Sequence, residues 1–290
     1  MRHHSYKVIA GLAAVLSAGA VGVASAAVSP ASAPAWRSVF PAGISGQVTA
    51  VATARSGGKT TEFAFVSDGT AKPAMYSRIG TGPWIKAGIA GAMTNEGVVS
   101  AATIGPNELL AFTSIGRLHG GGRVLKGTGH TVALKGGGTE HYYTWSVLGT
   151  FAEPIGSASV LAANDIWLFG NLPYYPATGT LGVWHYNGHT WKKVASYPAG
   201  GPSAQVSTDG HGGVWIPMSV GDAGPVGMLH YVNGSRTVTK ASLPGLANSS
   251  TSGLTAIANI PGTTQELAGG WILKTPNNFG ATIARVYQYN

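Results

Sequence analysis

The chain has 290 residues, of which 44 are Gly and none is Cys, and Asp, Glu, Lys and Arg together make up only 10%. So few charges exclude a disordered polyelectrolyte, and the lack of Cys excludes disulfide staples and thiolate metal centres. The 18 Lys and Arg against 10 Asp and Glu are scattered singly, with Lys192-Lys193 the one adjacent pair, so no basic block points to a nucleic-acid partner.

Residues 1–26 read as a secretory signal peptide. Arg2 and Lys7 form a positive start, Val8 to Val23 is an apolar run, and Ala24-Ser25-Ala26 offers a small-residue cleavage site. The run is short and Gly-interrupted for a membrane span, and no Cys is present to carry a lipid. The mature protein is therefore expected to be secreted, without stable membrane insertion. Residues 27–35 form an Ala/Ser/Pro-rich linker, and 36–290 a single folded domain held by its own core.

From there the chain repeats. Small, β-branched inner strands are predicted at Val48–Ala54, Val98–Ile104, Ser157–Ala163, Ala204–Thr208 and Gly253–Ile260, starting 47 to 59 residues apart. Each is followed by a second strand opening on an acid and an apolar residue: Glu62-Phe63, Glu108-Leu109, Asp165-Ile166 and Glu266-Leu267, with Gly213-Val214 in the fourth unit. The acids read as turn acceptors marking a strand start. Third strands end on Met75-Tyr76, His141-Tyr142-Tyr143, His185-Tyr186, His230-Tyr231 and Tyr287-Gln288-Tyr289, and Asn187-Gly188 and Asn233-Gly234 suit two-residue hairpins. Trp84, Trp145 and Trp191 mark the fourth strands.

Four strands repeated at this period predict an all-β fold, a β-propeller of five four-stranded blades. The last unit stops at Tyr289-Asn290 before its fourth strand, while Trp36-Arg37-Ser38-Val39-Phe40-Pro41 matches Trp191-Lys192-Lys193-Val194-Ala195-Ser196 in pattern. The N-terminal strand is therefore expected to complete the last blade and close the ring. Six blades would result if Gly116–Thr150 held a further unit; its Gly-rich part, Gly116–Gly138, reads as an irregular loop.

Asp165-Ile166-Trp167-Leu168-Phe169-Gly170 and Trp184-His185-Tyr186-Asn187-Gly188-His189-Thr190-Trp191 resemble the repeats of secreted actinobacterial propellers related to the kelch and galactose-oxidase-like group. Asp209-Gly210-His211-Gly212-Gly213-Val214-Trp215 is similar to the Asp-Gly-x-Gly-x-x-Trp element of other bacterial propellers. The resemblance is clear over about 157–240 and implies a fold, not an activity. Galactose oxidase itself uses a cysteine-linked tyrosine at copper, which a chain without Cys lacks.

Catalytic signatures are missing. None of the five inner-strand segments holds Asp or Glu, whereas glycoside hydrolysis on such a scaffold needs two converging carboxyl groups. His119, His130 and His141 recur every eleven residues without carboxylates beside them, so no metal or other cofactor is expected. What remains is the face formed by the loops between second and third strands. There Asn171, Tyr174, Tyr175, Asp222, Asn277, Asn278 and Phe279 are candidate ligand contacts, since exposed rings and side-chain amides suit sugars or peptides. The sequence thus favours a secreted, monomeric binding module for an extracellular glycan or protein, without catalysis. A polysaccharide-acting hydrolase or lyase and a structural envelope-associated protein are the alternatives.

Overall fold

The computed structural model describes residues 40–42, 44–67, 72–116, 120–135, 137, 139–170, 180–198, 201–202, 206–209, 211–219, 226–232, 238–241, 243–246, 252–260, 263, 265–275 and 282–289. The chain divides between Phe40 and Pro41, and the architecture is that of Pro41–Asn290. The signal segment, the linker and residues 36–39 of the expected closing strand lie outside the described residues.

All twenty described elements are strands, arranged in five successive antiparallel sheets. The first holds β1 (Gln47–Ser56), β2 (Lys59–Ser67), β3 (Ala74–Ile79) and β4 (Ile85–Gly88) in that order. The second holds β5 (Glu96–Gly105), β6 (Glu108–Ile115), β7 (Gly122–Ala133) and β8 (Thr139–Phe151). The third holds β9 (Ile155–Ala162), β10 (Asp165–Gly170), β11 (Thr180–Tyr186) and β12 (Trp191–Pro198). In the fourth, the short β13 (Gly201–Pro202) and β14 (Ser207–Thr208) both pair with β15 (Val214–Ser219), followed by β16 (Val226–Tyr231) and β17 (Val238–Ala241). The fifth has three described strands, β18 (Ser252–Asn259), β19 (Glu266–Leu273) and β20 (Thr282–Tyr289).

Second strands are apolar on both faces because each is sandwiched between neighbouring sheets. Along β10, Ile166 and Leu168 face the second sheet, while Trp167 and Phe169 face the fourth. Four apolar seams result, each shared by consecutive sheets: Phe63, Phe65 and Leu109 in the first, Leu110, Phe112 and Ile166 in the second, Trp167, Val214 and Ile216 in the third, and Trp215, Leu254 and Ala268 in the fourth. Phe65, Phe112 and Phe169 have no exposed surface, and each contributes about 1.5–3 kcal/mol by burial.

Three expectations change. The described residues of Gly116–Thr150 supply β7 and β8, the outer strands of the second sheet, and not a further unit. What read as a Gly-rich loop is mostly β7, because Gly127 and Gly129 leave room for rings across the ladder. A Cβ on Gly127 would meet Trp145 at 3.0 Å, and one on Gly129 would meet Tyr143 at 2.9 Å. His141, Tyr142 and Tyr143 accordingly lie on the fourth strand of their sheet and not on the third. The Asn187-Gly188 turn is also longer than two residues. It runs from Asn187 to Thr190, with Asn187 Oδ1 accepting the N–H groups of His189 at 3.0 Å and Thr190 at 2.9 Å, and Gly188 at φ 93°.

Candidate functional site

Register decides where the acids point. Ile166 pairs with Val160, Leu109 with Thr103, Val214 with Thr208, Glu62 with Thr53 and Glu266 with Asn259. Glu62 and Glu266 thus stand at the apolar position, one residue beyond the Glu108 and Asp165 position they were expected to share. A one-residue step on a strand reverses the face. Glu62 pairs with Arg78 at 2.6 Å, and Glu266 turns into the seam toward the fourth sheet.

The strand-opening position itself carries a recurrent cross-strand pair. Lys126 Nζ lies 2.6 Å from Glu108 Oε1 in the second sheet, and His185 Nε2 lies 2.9 Å from Asp165 Oδ1 in the third. Gly213 holds this place in the fourth sheet, and Asp209 reaches in from the end of β14 to lie 3.0 Å from His230 Nε2. In the fifth, Gln288 Nε2 donates to Gln265 Oε1 at 3.2 Å. Each His lies flat on a Trp, His185 on Trp167 at 4.4 Å and His230 on Trp215 at 3.9 Å. Burial raises the Asp209 carboxyl, but His230 and the N–H groups of His211 and Gly213 outweigh it and hold the group below its ordinary value. These carboxylates are engaged as latches between second and third strands.

A second buried acid was missed in the sequence because β5 starts two residues earlier than predicted, at Glu96. Arg123 Nε donates to Glu96 Oε1 at 2.9 Å and Arg123 Nη2 to Oε2, and Met93 N–H adds a bond of 2.7 Å to Oε2. Burial pushes this carboxyl up, and Arg123, Thr113 and Met93 together bring it below its ordinary value. Its lone pairs are used, so it is a structural ion pair.

Glu266 differs from all of these. Its residue is 2% exposed; Oε1 accepts from Asn259 Nδ2 at 2.9 Å, and Oε2 has no hydrogen-bond partner. Burial, opposed in part by Asn259 and Ser207 and reinforced by the charge of Asp209, raises the carboxyl to about 7. Residue Glu266 is one of those lining a cavity of 380 Å³ between the fourth and fifth sheets, with Trp215, Leu243, Ala268, Tyr287 and Tyr289. Tyr287 donates its hydroxyl to Pro244 O at 2.9 Å, fixing the segment that forms one wall.

The same place between the second and third sheets is filled. There Trp191 packs against Tyr186 and Phe151 and donates to Leu148 O at 3.1 Å, beside Ile166 and Leu168. By register Glu266 replaces Ile166 and Ala268 replaces Leu168, since Tyr289 pairs with Glu266 as Tyr186 does with Ile166. Among the described residues the fourth seam therefore carries an acid and a smaller side chain where the second carries Ile166 and Leu168.

The candidate contacts Asn171, Tyr174, Tyr175, Asp222, Asn277, Asn278 and Phe279 all lie outside the described residues. Of the three periodic histidines, His119 does too. His130 and His141 stand on β7 and β8, bonded to Thr144 and Thr131 at 2.9 Å each. Among the described residues no three His, Asp or Glu converge on a metal site.

No family model matches the chain, and no curated protein matches it. Among solved structures, YCF48 from Cyanidioschyzon merolae aligns at 14% identity over 85% of this chain and 73% of its own, with a TM-score of 0.50. The fold is that of a β-propeller. Trypanosoma rangeli sialidase aligns at 12% identity over 84% of this chain and 47% of its own, with a TM-score of 0.43. An exo-β-1,3-galactanase from Phanerochaete chrysosporium aligns at 15% identity over 83% and 60%, with a TM-score of 0.41. At such identities the likeness reaches the propeller fold and no activity.

Proposed function

We propose that this propeller is a secreted binding module that recognises an extracellular ligand, a glycan before a protein, and carries out no catalysis. The observation behind this reading is the cavity of 380 Å³, lined among others by Trp215, Tyr287, Gln288, Tyr289 and Glu266. Its volume is within the ordinary range for small-molecule sites, and rings beside a single hydrogen-bonding group are the usual furniture of sugar recognition. Glu266 is the one carboxylate residue among the described residues lining the cavity, whereas glycoside hydrolysis asks for two flanking the same bond. The five sheets are proposed to form a five-bladed, kelch-like ring acting as a monomer, its last blade completed by the strand at residues 36–41. The loop face bearing Tyr174 and Tyr175 is proposed as a second contact surface.

An array of bacterial, plant and host glycans probed with the purified protein tests this. Selective binding lost in Tyr287→Ala places the ligand in the cavity, and binding lost in Tyr174→Ala/Tyr175→Ala places it on the loop face. Absence of any hit with folded protein rejects the glycan reading.

A further inference from the structure

Sheet edges are where strands from other chains add, and native proteins blunt them with short strands, Lys or Pro. The described fourth strands follow this rule except one. β4 and β17 have four residues each, and β12 carries Lys192, Lys193 and Pro198. β8 runs for 13 residues without Pro, Lys or Arg, and its one charged side chain is Glu140.

The edge also extends past its own sheet. β6 accompanies β7 as far as Glu108 opposite Thr128, while β7 and β8 stay paired from Gly129 opposite Tyr143 to Ala133 opposite Thr139. A two-stranded ribbon of this kind is marginal alone and gains from a third strand. Gly129 N donates to Asn107 O at 2.7 Å, so its backbone turns away from β8, and Gly129–Tyr143 is a pair without ladder bonds. By alternation Thr139, His141, Tyr143 and Trp145 aim their N–H and C=O groups off the outer edge. Among the described residues no backbone bond from another sheet reaches them.

The side chains flanking the edge define its partner. Val132 and Tyr142 are exposed on one face of the ribbon, with Tyr142 stacked on His130 at 5.1 Å. Glu140 shares that face, is exposed, and forms no ion pair among the described residues. A second copy of β8 offers it no cation, because the strand holds no Lys or Arg.

We propose that the outer edge of β8, from Thr139 to Trp145, takes an extended segment of a partner protein as an added strand. The segment is β-branched and carries a Lys or Arg beside Glu140. Main-chain bonds to His141 and Tyr143 supply the affinity, and Glu140 supplies the selection. The edge belongs to the second sheet and not to the cavity, so its failure and that of the glycan reading are separate.

A fluorescein-labelled peptide, Thr-Val-Lys-Val-Thr-Val-Thr-amide, titrated with the full chain and followed by anisotropy, tests this. Saturable binding is expected, weakened about tenfold or more by His141→Pro, which removes an outward N–H and leaves the bonds to β7 in place. Glu140→Lys should weaken it about threefold, and a peptide with Glu in place of its Lys should recover that loss on the same variant. No saturable binding to folded wild type overturns the proposal, as does binding indifferent to both substitutions. A concentration-dependent dimer in sedimentation velocity, broken by His141→Pro, gives the edge to a second copy and overturns it too.

Discussion

Glu266 and Glu96 are two buried carboxyl groups with opposite fates. Glu96 is surrounded by donors and Glu266 is left with an empty oxygen, so their folded-state titrations move apart. For Glu266 the folded value of about 7 lies above the ordinary 4.5. The neutral form is favoured in the fold, so the benefit is full below the unfolded value and lost as pH rises through about 7. Urea unfolding of wild type against Glu266→Gln should therefore diverge between pH 4.5 and 7.5, the variant becoming more stable by about 1–3 kcal/mol above that window. A constant difference across the range would refute the buried, proton-holding Glu266. Glu96 works the other way, its contribution present at neutral pH and lost as pH falls below the ordinary carboxyl range. Arg123→Met leaves Glu96 uncompensated between side chains that are 6% and 0% exposed, and should cost about 3–5 kcal/mol in chemical denaturation. The double replacement Glu96→Leu/Arg123→Met should cost clearly less, because no orphaned charge remains.

At the scale of strands and sheets, much of the architecture was legible. Four of the five inner strands fall within two residues of their predicted starts, because small β-branched runs bounded by Gly and Pro have few other uses. The faces of the second-strand acids were not legible. Glu62 and Glu266 look like Glu108 and Asp165 in a line of text, but turn lengths differ from unit to unit, and a one-residue shift turns a strand-opening acid into a core one. Register breaks at Val48/Ala50 and Leu254/Ala256 show how readily inner strands slip by a residue in this fold. The glycines of β7 misled for a different reason: Gly127 and Gly129 are strand residues whose missing side chains admit Trp145 and Tyr143. Gly129→Val should drive that ring out of place and lower stability by about 1–3 kcal/mol, measured as a thermal shift without loss of β-sheet circular dichroism. A neutral outcome would mean that Tyr143 can leave its site freely. Of the cavity, the sequence showed its aromatics but not their convergence, since Trp215, Tyr287 and Tyr289 meet only once the fourth and fifth sheets pack.

For the whole molecule, stability is distributed along seams, and the seams are unequal. The second is filled with Leu110, Phe112, Ile166, Leu168 and the ring of Trp191, while the fourth holds a cavity and a buried acid in corresponding places. Apolar surface lost from a seam lowers the free energy of opening it, and opening occurs locally where contacts are fewest. Native-state hydrogen exchange should accordingly find the amides of β19 opening at lower free energy than those of β10, though both are second strands with the same ladder pattern. The gap should widen above pH 7, where Glu266 ionises inside the seam, and shrink in Ala268→Leu, which restores the side chain present at Leu168. Uniform protection across β10 and β19 would mean that the sheets rise and fall as one cooperative unit, and the weak fourth seam would then have to be supported by contacts beyond those that line it. A ligand that fills the cavity acts on the same equilibrium, because binding to the folded seam alone stabilises it by mass action. Slower exchange in β19 on adding a glycan found by the array, with β10 unmoved, is thus the outcome that joins the seam's weakness to its use.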